Sequence, residues 1–253
     1  MSVSALILLH LNYILALYKK NFGLIDIAWG LGFIFISFTG SLLNSFNNFS
    51  EVIIFVLVSA WGLRLSGYLF LRNFGHDEDF RYREMRTRWG TSANKIAYFK
   101  IYWLQFILML LVALPLFSVH NSTSNQLEAL GFLGIFIWAF GFCWESVSDF
   151  QKSRFKKNPK NRDKLCQEGL WNLSRHPNYF GESLVWWGIG LISIRKAEYW
   201  GLIGPLFINY LLVKVSGVPL IEKRHRNHPD FPEYEKNTPR LLPRFSKLFI
   251  KKV

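Results

Sequence analysis

Seven apolar runs divide this chain, at 3–17, 22–43, 52–71, 101–117, 127–144, 179–194 and 200–215. Several approach the roughly 20 residues that a helix needs to cross a bilayer. In hydrocarbon every backbone N–H and C=O must find its partner inside the segment, so such runs are read as helices. The expected fold is all-α: a polytopic membrane protein of about seven transmembrane helices with a cytoplasmic C-terminal tail. The last two runs could form one helical hairpin. No repeat or low-complexity linker breaks the chain, so 1–253 is read as a single membrane domain.

The basic residues supply an orientation. With loops alternating between sides, 19–20, 72–95, 152–175 and 223–252 hold 25 of the 30 Lys and Arg. The opposite loops hold only Arg195 and Lys196. An excess of Lys and Arg marks the cytoplasmic side, which places the N-terminus outside and the C-terminus in the cytoplasm. Topology thereby accounts for most of the net charge of +13, and nucleic acid is not expected as a partner. Residues 1–17 lack the positive start and the cleavage site of a secretory signal. Of the two cysteines, Cys143 falls inside a span and Cys166 in a cytoplasmic loop, so no disulfide is expected. The six His follow no metal-ligand spacing, and no metal is expected.

The loops have their own organisation. Residues 72–95 carry mixed charge and predict a short interfacial helix around 81–89. Residues 151–175 are rich in Lys, Arg and Asn, with a break at Asn158–Pro159. Beyond Glu222, four X-Pro pairs exclude one long helix and predict a compact tail on the cytoplasmic face. A lone Gly-x-Gly at Gly30–Gly32 lacks the strand context of a dinucleotide fingerprint.

The polar residues inside or at the mouths of the spans are the candidates for function, because they are costly in lipid. Asp26 opens the second span. Burial would favour its neutral acid form, which suits proton donation; the alternative is a structural hydrogen bond. Arg64 and Tyr68 are four apart and share one face of the third span. Arg64 needs an anion, and Asp26 is the obvious partner if those helices touch. Glu145 and Asp149 close the fifth span on one face, just before Lys152, Arg154, Lys156 and Lys157, with Arg162 further along the loop. Carboxylates suit ribose hydroxyls and the basic loop suits phosphates; the alternative is an ordinary charged helix end. Pro177 suits a first helical turn. The N–H groups there, with Arg175 and His176, would draw an anion. Asn178 and Glu182 then share a face pointing into the bundle, and an Asn amide could pair with an amide such as nicotinamide. Lys214 interrupts the last span, to snorkel or to meet an anionic ligand.

Together these segments resemble a known group. Glu145-Ser146-Val147-Ser148-Asp149, Gly169-Leu170-Trp171 and Ser174-Arg175-His176-Pro177-Asn178-Tyr179-Phe180-Gly181-Glu182 are similar to the C-terminal half of the steroid 5-alpha-reductase superfamily. The branch they resemble most is its mainly bacterial members, domain of unknown function 1295. In that branch the resemblance extends to Asp26-Ile27-Ala28-Trp29-Gly30, Trp61-Gly62-Leu63-Arg64-Leu65 and Glu78-Asp79-Phe80-Arg81-Tyr82. The tail 234–243 also resembles the group's C-terminal segment.

The resemblance implies a seven-helix reductase, in a bacterial inner membrane, that uses NADPH on a carbon–carbon double bond conjugated to a carbonyl. Its cofactor-binding positions match Asp149, Asn178 and the basic loop; the position of Glu145 is Asn in the steroid enzymes. The carboxylic acid and tyrosine that hold the substrate carbonyl find their nearest counterparts in Asp26 and Tyr68. The expected cofactor set is Arg64, Glu145, Asp149, Lys156, Arg162, Arg175, His176, Asn178, Tyr179, Glu182 and Lys214. The expected substrate is a lipophilic small molecule entering from the bilayer, with membrane lipids as surroundings. Two rivals stand beside this reading. Membrane methyltransferases of the isoprenylcysteine type share the Arg-His-Pro-x-Tyr-x-Gly element matched by 175–181, and would use S-adenosylmethionine. A non-catalytic lipid-binding protein is the other.

Overall fold

The computed structural model describes residues 1–73, 75, 77–120, 127–194 and 198–248. Among these residues it is all-helical. In chain order the helices are α1 (Ser2–Lys19), α2 (Leu24–Leu43), α3 (Phe49–Asn73), α4 (Phe80–Trp89), α5 (Ala93–Ala97), α6 (Leu104–Val112), α7 (Leu114–His120), α8 (Ala129–Lys157), α9 (Leu170–Leu173), α10 (Pro177–Ser193), α11 (Ile203–Tyr210), α12 (Val218–His225) and α13 (Phe231–Asn237). Wider π turns at Tyr98–Trp103 and Leu211–Val215 join α5 to α6 and follow α11. Among the described residues six helical stretches are long and apolar enough to cross a membrane: Ser2–Lys19, Leu24–Leu43, Phe49–Asn73, Phe80–Val112, Ala129–Lys157 and Trp200–His225. The seventh expected span is α10, which forms but has only 17 residues. Arg195 and Lys196, counted on the outer side, lie outside the described residues.

Local signals set several of these ends. Asn158 caps the turn at Pro159, and α8 stops at Lys157 beside it. Pro177 starts α10, where its missing N–H costs nothing. Asp79 caps α4 by accepting from the Arg81 N–H at 3.0 Å, so the expected interfacial helix runs from Phe80 to Trp89. Beyond α12 the prolines shorten the tail to α13 and a single turn at Phe245–Leu248.

The helices form two compact units. The first comprises Met1–Phe132 with Ile189–Gly204. Its centre is the α2–α3 seam, where Gly30 and Gly62 lie backbone to backbone. A Cβ on Gly30 would sit 2.6 Å from the Gly62 carbonyl oxygen, and one on Gly62 2.7 Å from that of Gly30. Lipid gives helices no hydrophobic drive to associate, so such close approach and polar links hold the seam. Ser66 Oγ adds one link, donating to the Ile27 carbonyl at 2.8 Å. Phe33 and Trp61 fill the space beside it, with ring centroids 5.9 Å apart. On α1, by contrast, Ile7, Leu11, Ile14 and Tyr18 are exposed, as lipid-facing side chains would be.

The second unit comprises Leu133–Gly188 with Pro205–Val253. Here α8 and α10 meet through two glycine contacts, each pair two turns apart on its helix. A Cβ on Gly141 would fall 2.7 Å from the Gly181 carbonyl oxygen, and one on Gly188 2.6 Å from that of Gly134. Beside this seam the tail wraps the entry to α10. Arg175 N–H donates to the Pro239 carbonyl and Arg244 N–H to the Leu173 carbonyl, both at 2.9 Å. Tyr234 Oη donates to the Trp171 carbonyl at 2.6 Å. The compact tail expected from its prolines is therefore tied to 171–175 by backbone hydrogen bonds.

Candidate functional site

In the first unit Asp26 sits in the opening turn of α2, where the helix dipole favours negative charge. Arg81 of α4 donates to Asp26 Oδ2 at 2.7 Å, and Tyr82 Oη donates to Asp26 Oδ1 at 2.6 Å. Arg81 is held in turn by Asp79, with Nε 3.0 Å from Oδ1. Burial alone would push the Asp79 carboxyl up; the hydrogen bonds and charge of Arg81 outweigh it and hold Asp79 below the usual carboxylate range. One layer further out, Arg86 grips both oxygens of Glu78 at 2.9 and 3.0 Å, and Glu78 accepts from the Phe22 N–H at 2.7 Å. The motif Glu78–Tyr82 thus folds back as a clamp on the start of α2.

This geometry gives Asp26 two partners that the sequence reading did not assign to it. Arg64 was the expected counter-ion of Asp26, and Tyr68 its expected phenol. Arg81 and Tyr82 fill those positions, because α4 turns back over the mouth of α2 while Arg64 and Tyr68 follow the axis of α3. The Tyr68 ring lies against the Arg72 guanidinium, 5.7 Å away. Asp26 is also not isolated: the Arg81 guanidinium lies 2.7 Å from its carboxyl group.

In the second unit the expected acids are buried. Glu145 and Asp149, one turn apart on α8, are 2% and 5% exposed, and Glu182 of α10 is 8% exposed. Gly181 packs directly on the Glu145 backbone, which sets Glu182 at the level of Glu145 along the seam. Asn178 and Tyr179 are half-buried in the first turn of α10.

The expected anion site at the entry to α10 is filled from within the chain. Arg175 places all five of its N–H groups on protein oxygens. Nε and Nη2 donate to Glu222 Oε1 at 3.0 and 2.7 Å. Nη1 donates to the carbonyls of Glu235 and Thr238 at 3.0 and 2.8 Å, and Nη2 reaches Glu235 Oε1 at 3.4 Å. A guanidinium has no sixth donor, so Arg175 is withdrawn from phosphate binding. His176 Nε2 lies 3.3 Å from the same Glu222 oxygen, and its ring stacks on Tyr179 with centroids 5.6 Å apart. Burial pushes the imidazole below its ordinary value, against the pull of Glu222.

The basic loop divides similarly. Lys156 Nζ donates to the carbonyls of Arg162 and Lys164 at 3.2 and 3.0 Å and so closes the loop on itself. Lys157 and Arg162 remain exposed, as does Lys214 in the π turn that follows α11. Sequence reading missed Arg81, Tyr82 and Glu222. The first two lay inside a segment already singled out, Glu78–Tyr82. Glu222 lay beyond the last apolar run, 200–215, and was read as the first residue of the tail.

Residues 12–238 match the family described as "Protein of unknown function (DUF1295)". The match covers most of the chain, and the chain belongs to that family. A curated relative, named "Probable O-methyltransferase ustE", from Ustilaginoidea virens, is 40% identical over 87 residues. Those residues are 34% of this chain, and the match spans only 29% of the relative's length. No solved structure matches.

Proposed function

We propose that this protein is an integral-membrane oxidoreductase that uses NADPH to reduce the conjugated double bond of a lipophilic, steroid- or isoprenoid-like enone. The observation that carries the reading is the phenol of Tyr82 held 2.6 Å from Asp26, with Arg81 fixing the carboxylate. Reduction of an enone builds negative charge on the carbonyl oxygen, and a pre-placed hydrogen-bond donor lowers that barrier. The Tyr82 hydroxyl, turned from Asp26 to a substrate carbonyl, would donate its one hydrogen to that oxygen. Arg81 would keep Asp26 charge-balanced meanwhile.

The residues fit NADPH in part. Glu145 and Asp149 suit ribose hydroxyls, and Asn178 suits the carboxamide, with Tyr179 and Glu182 in the same two turns of α10. The phosphates would fall to the exposed Lys157 and Arg162, because Arg175 and Lys156 donate to the protein itself. When bound, the cofactor would supply the hydride, and water the proton, that together complete the reduction. The orientation expected from the basic loops, with the C-terminus cytoplasmic, would put these groups on the side where NADPH is found.

A second reading, methyl transfer from S-adenosylmethionine, is favoured by two observations. One is the name of the relative. The other is the pairing of buried carboxylates with basic residues that the protein uses itself, which suits a cationic sulfonium better than a chain of phosphates. The two readings separate in one experiment on the detergent-purified protein. NADPH consumption would be followed with a panel of lipophilic enones, and methyl transfer from labelled S-adenosylmethionine with hydroxyl- and carboxyl-bearing isoprenoids. The expected result is enone-dependent NADPH oxidation that falls by about 100-fold or more in Tyr82→Phe, as loss of one oxyanion donor does elsewhere. Methyl transfer without NADPH oxidation would replace this reading with the second, and neither activity would leave a lipid-binding protein.

A further inference from the structure

Glu222 gathers three donors on one oxygen: Arg175 Nε at 3.0 Å, Arg175 Nη2 at 2.7 Å and His176 Nε2 at 3.3 Å. Arg240 Nε lies 3.2 Å from its second oxygen. Two guanidinium groups at these distances fix Glu222 as a carboxylate, which can only accept. The hydrogen between His176 and Glu222 must therefore sit on Nε2. Whenever the imidazole is neutral, Nδ1 then carries the lone pair. The rest of the ring is immobile: His176 is 2% exposed, it stacks on Tyr179, and its backbone N–H donates to Ser174 Oγ at 3.1 Å. Nδ1 has no hydrogen-bond partner among the described residues.

We propose that Glu222 is a positioning residue that holds His176 as an Nε2–H imidazole, so that Nδ1 accepts an N–H or O–H hydrogen from the ligand bound beside α10. The group recognised there is a donor: a carboxamide, an amine or a hydroxyl. The neutral ring disfavours an anion at Nδ1, where it would meet a lone pair. This reverses the expectation that the entry to α10 attracts phosphate. It rests on the reading that the second unit binds the cofactor, and it sharpens which end of that cofactor His176 can meet. In NADPH the carboxamide and the ribose hydroxyls qualify, as do the amine and hydroxyls of the adenosine that both cofactors share. The charged groups facing the ring are Glu222, Arg175, Lys152 and His225. Burial and the two cations favour the neutral ring, which supports the assignment.

The test is histidine nitrogen NMR on the detergent-solubilised full chain, labelled at His and assigned with His176→Gln. The expected spectrum at pH 7 shows a neutral His176 with the proton on Nε2 alone. In Glu222→Gln the neutral carboxamide no longer anchors the ring, and a mixture of tautomers is expected. A proton on Nδ1 in the native protein, or a doubly protonated ring at pH 7, would overturn the proposal, as would a folded Glu222→Gln with an unchanged tautomer. If that variant does not fold, the native spectrum alone decides. NADPH and S-adenosylmethionine are then added separately. A shift of Nδ1 with either supports the contact with ligand. Nucleotide binding, seen at other residues, that leaves Nδ1 unmoved overturns that contact. No binding of either nucleotide overturns the cofactor reading, while the tautomer stands or falls on the native spectrum.

Discussion

Several of the side chains that organise this protein are charged groups that pair with one another. Arg175 is the clearest case, with five donors on five protein contacts. Removing one partner of a buried pair leaves the other uncompensated, at a cost of about 3–5 kcal/mol. Arg175→Met is therefore expected to lower the unfolding temperature sharply and to free the tail, seen as faster proteolysis after residue 222. Tyr82→Phe removes a single hydrogen bond to a charged acceptor, worth about 1.5–3 kcal/mol, and should leave the fold intact. His176 sets a pH dependence. Burial places its folded-state pKa below the unfolded value, so the unfolded chain takes up the proton first as pH falls. Its contribution is fully present above about 6.5, the ordinary histidine value, and is lost as pH drops from there toward the folded value. The difference in unfolding temperature between the native protein and His176→Gln should shrink on acidification over that range. A constant difference would show that the ring is not held neutral.

At the scale of elements, what could be read from sequence was local, and what could not was distant. The stop at Asn158–Pro159, the start at Pro177 and the short helix at Phe80–Trp89 each follow from capping chemistry within a few residues. The partners of Asp26 lie 55 and 56 residues away, and Glu222 lies 47 residues from Arg175. Helical spacing named Arg64 and Tyr68 because they share a face, but it could not foresee that α4 folds back over α2. The acids Glu145, Asp149 and Glu182 were legible because polar residues in an apolar run have few places to go. The glycine seams were not singled out, since close approach shows only in the packed helices. They make their own prediction. Gly181→Ala would press a Cβ to 2.6 Å from the Glu145 N, and Gly30→Ala would do the same against the Gly62 carbonyl. Each should destabilise its unit by about 1–3 kcal/mol, the usual cost of overpacking, measurable as a lower unfolding temperature. Gly67→Ala on the same α3, where nothing lies within 4 Å of the new Cβ, should not.

For the whole molecule, membership of the DUF1295 family and six membrane-length helices define a polytopic membrane protein. The charge asymmetry of its loops predicts a cytoplasmic tail, and Lys247→Cys in a Cys143→Ser, Cys166→Ser background tests it. That thiol should escape an impermeant reagent in intact cells and react once the membrane is opened; labelling of intact cells would invert the topology. The central claim, that the buried acids, Asn178 and the exposed loop cations hold NADPH, is tested most directly by thermal unfolding of the purified protein with NADPH, NADH and S-adenosylmethionine in parallel. A ligand bound only by the folded state raises its stability by mass action, about 2.7 kcal/mol at one hundred times Kd. The expected result is a rise in unfolding temperature with NADPH that disappears in Asn178→Ala. Stabilisation by S-adenosylmethionine alone would contradict the claim and make methyl transfer the reaction.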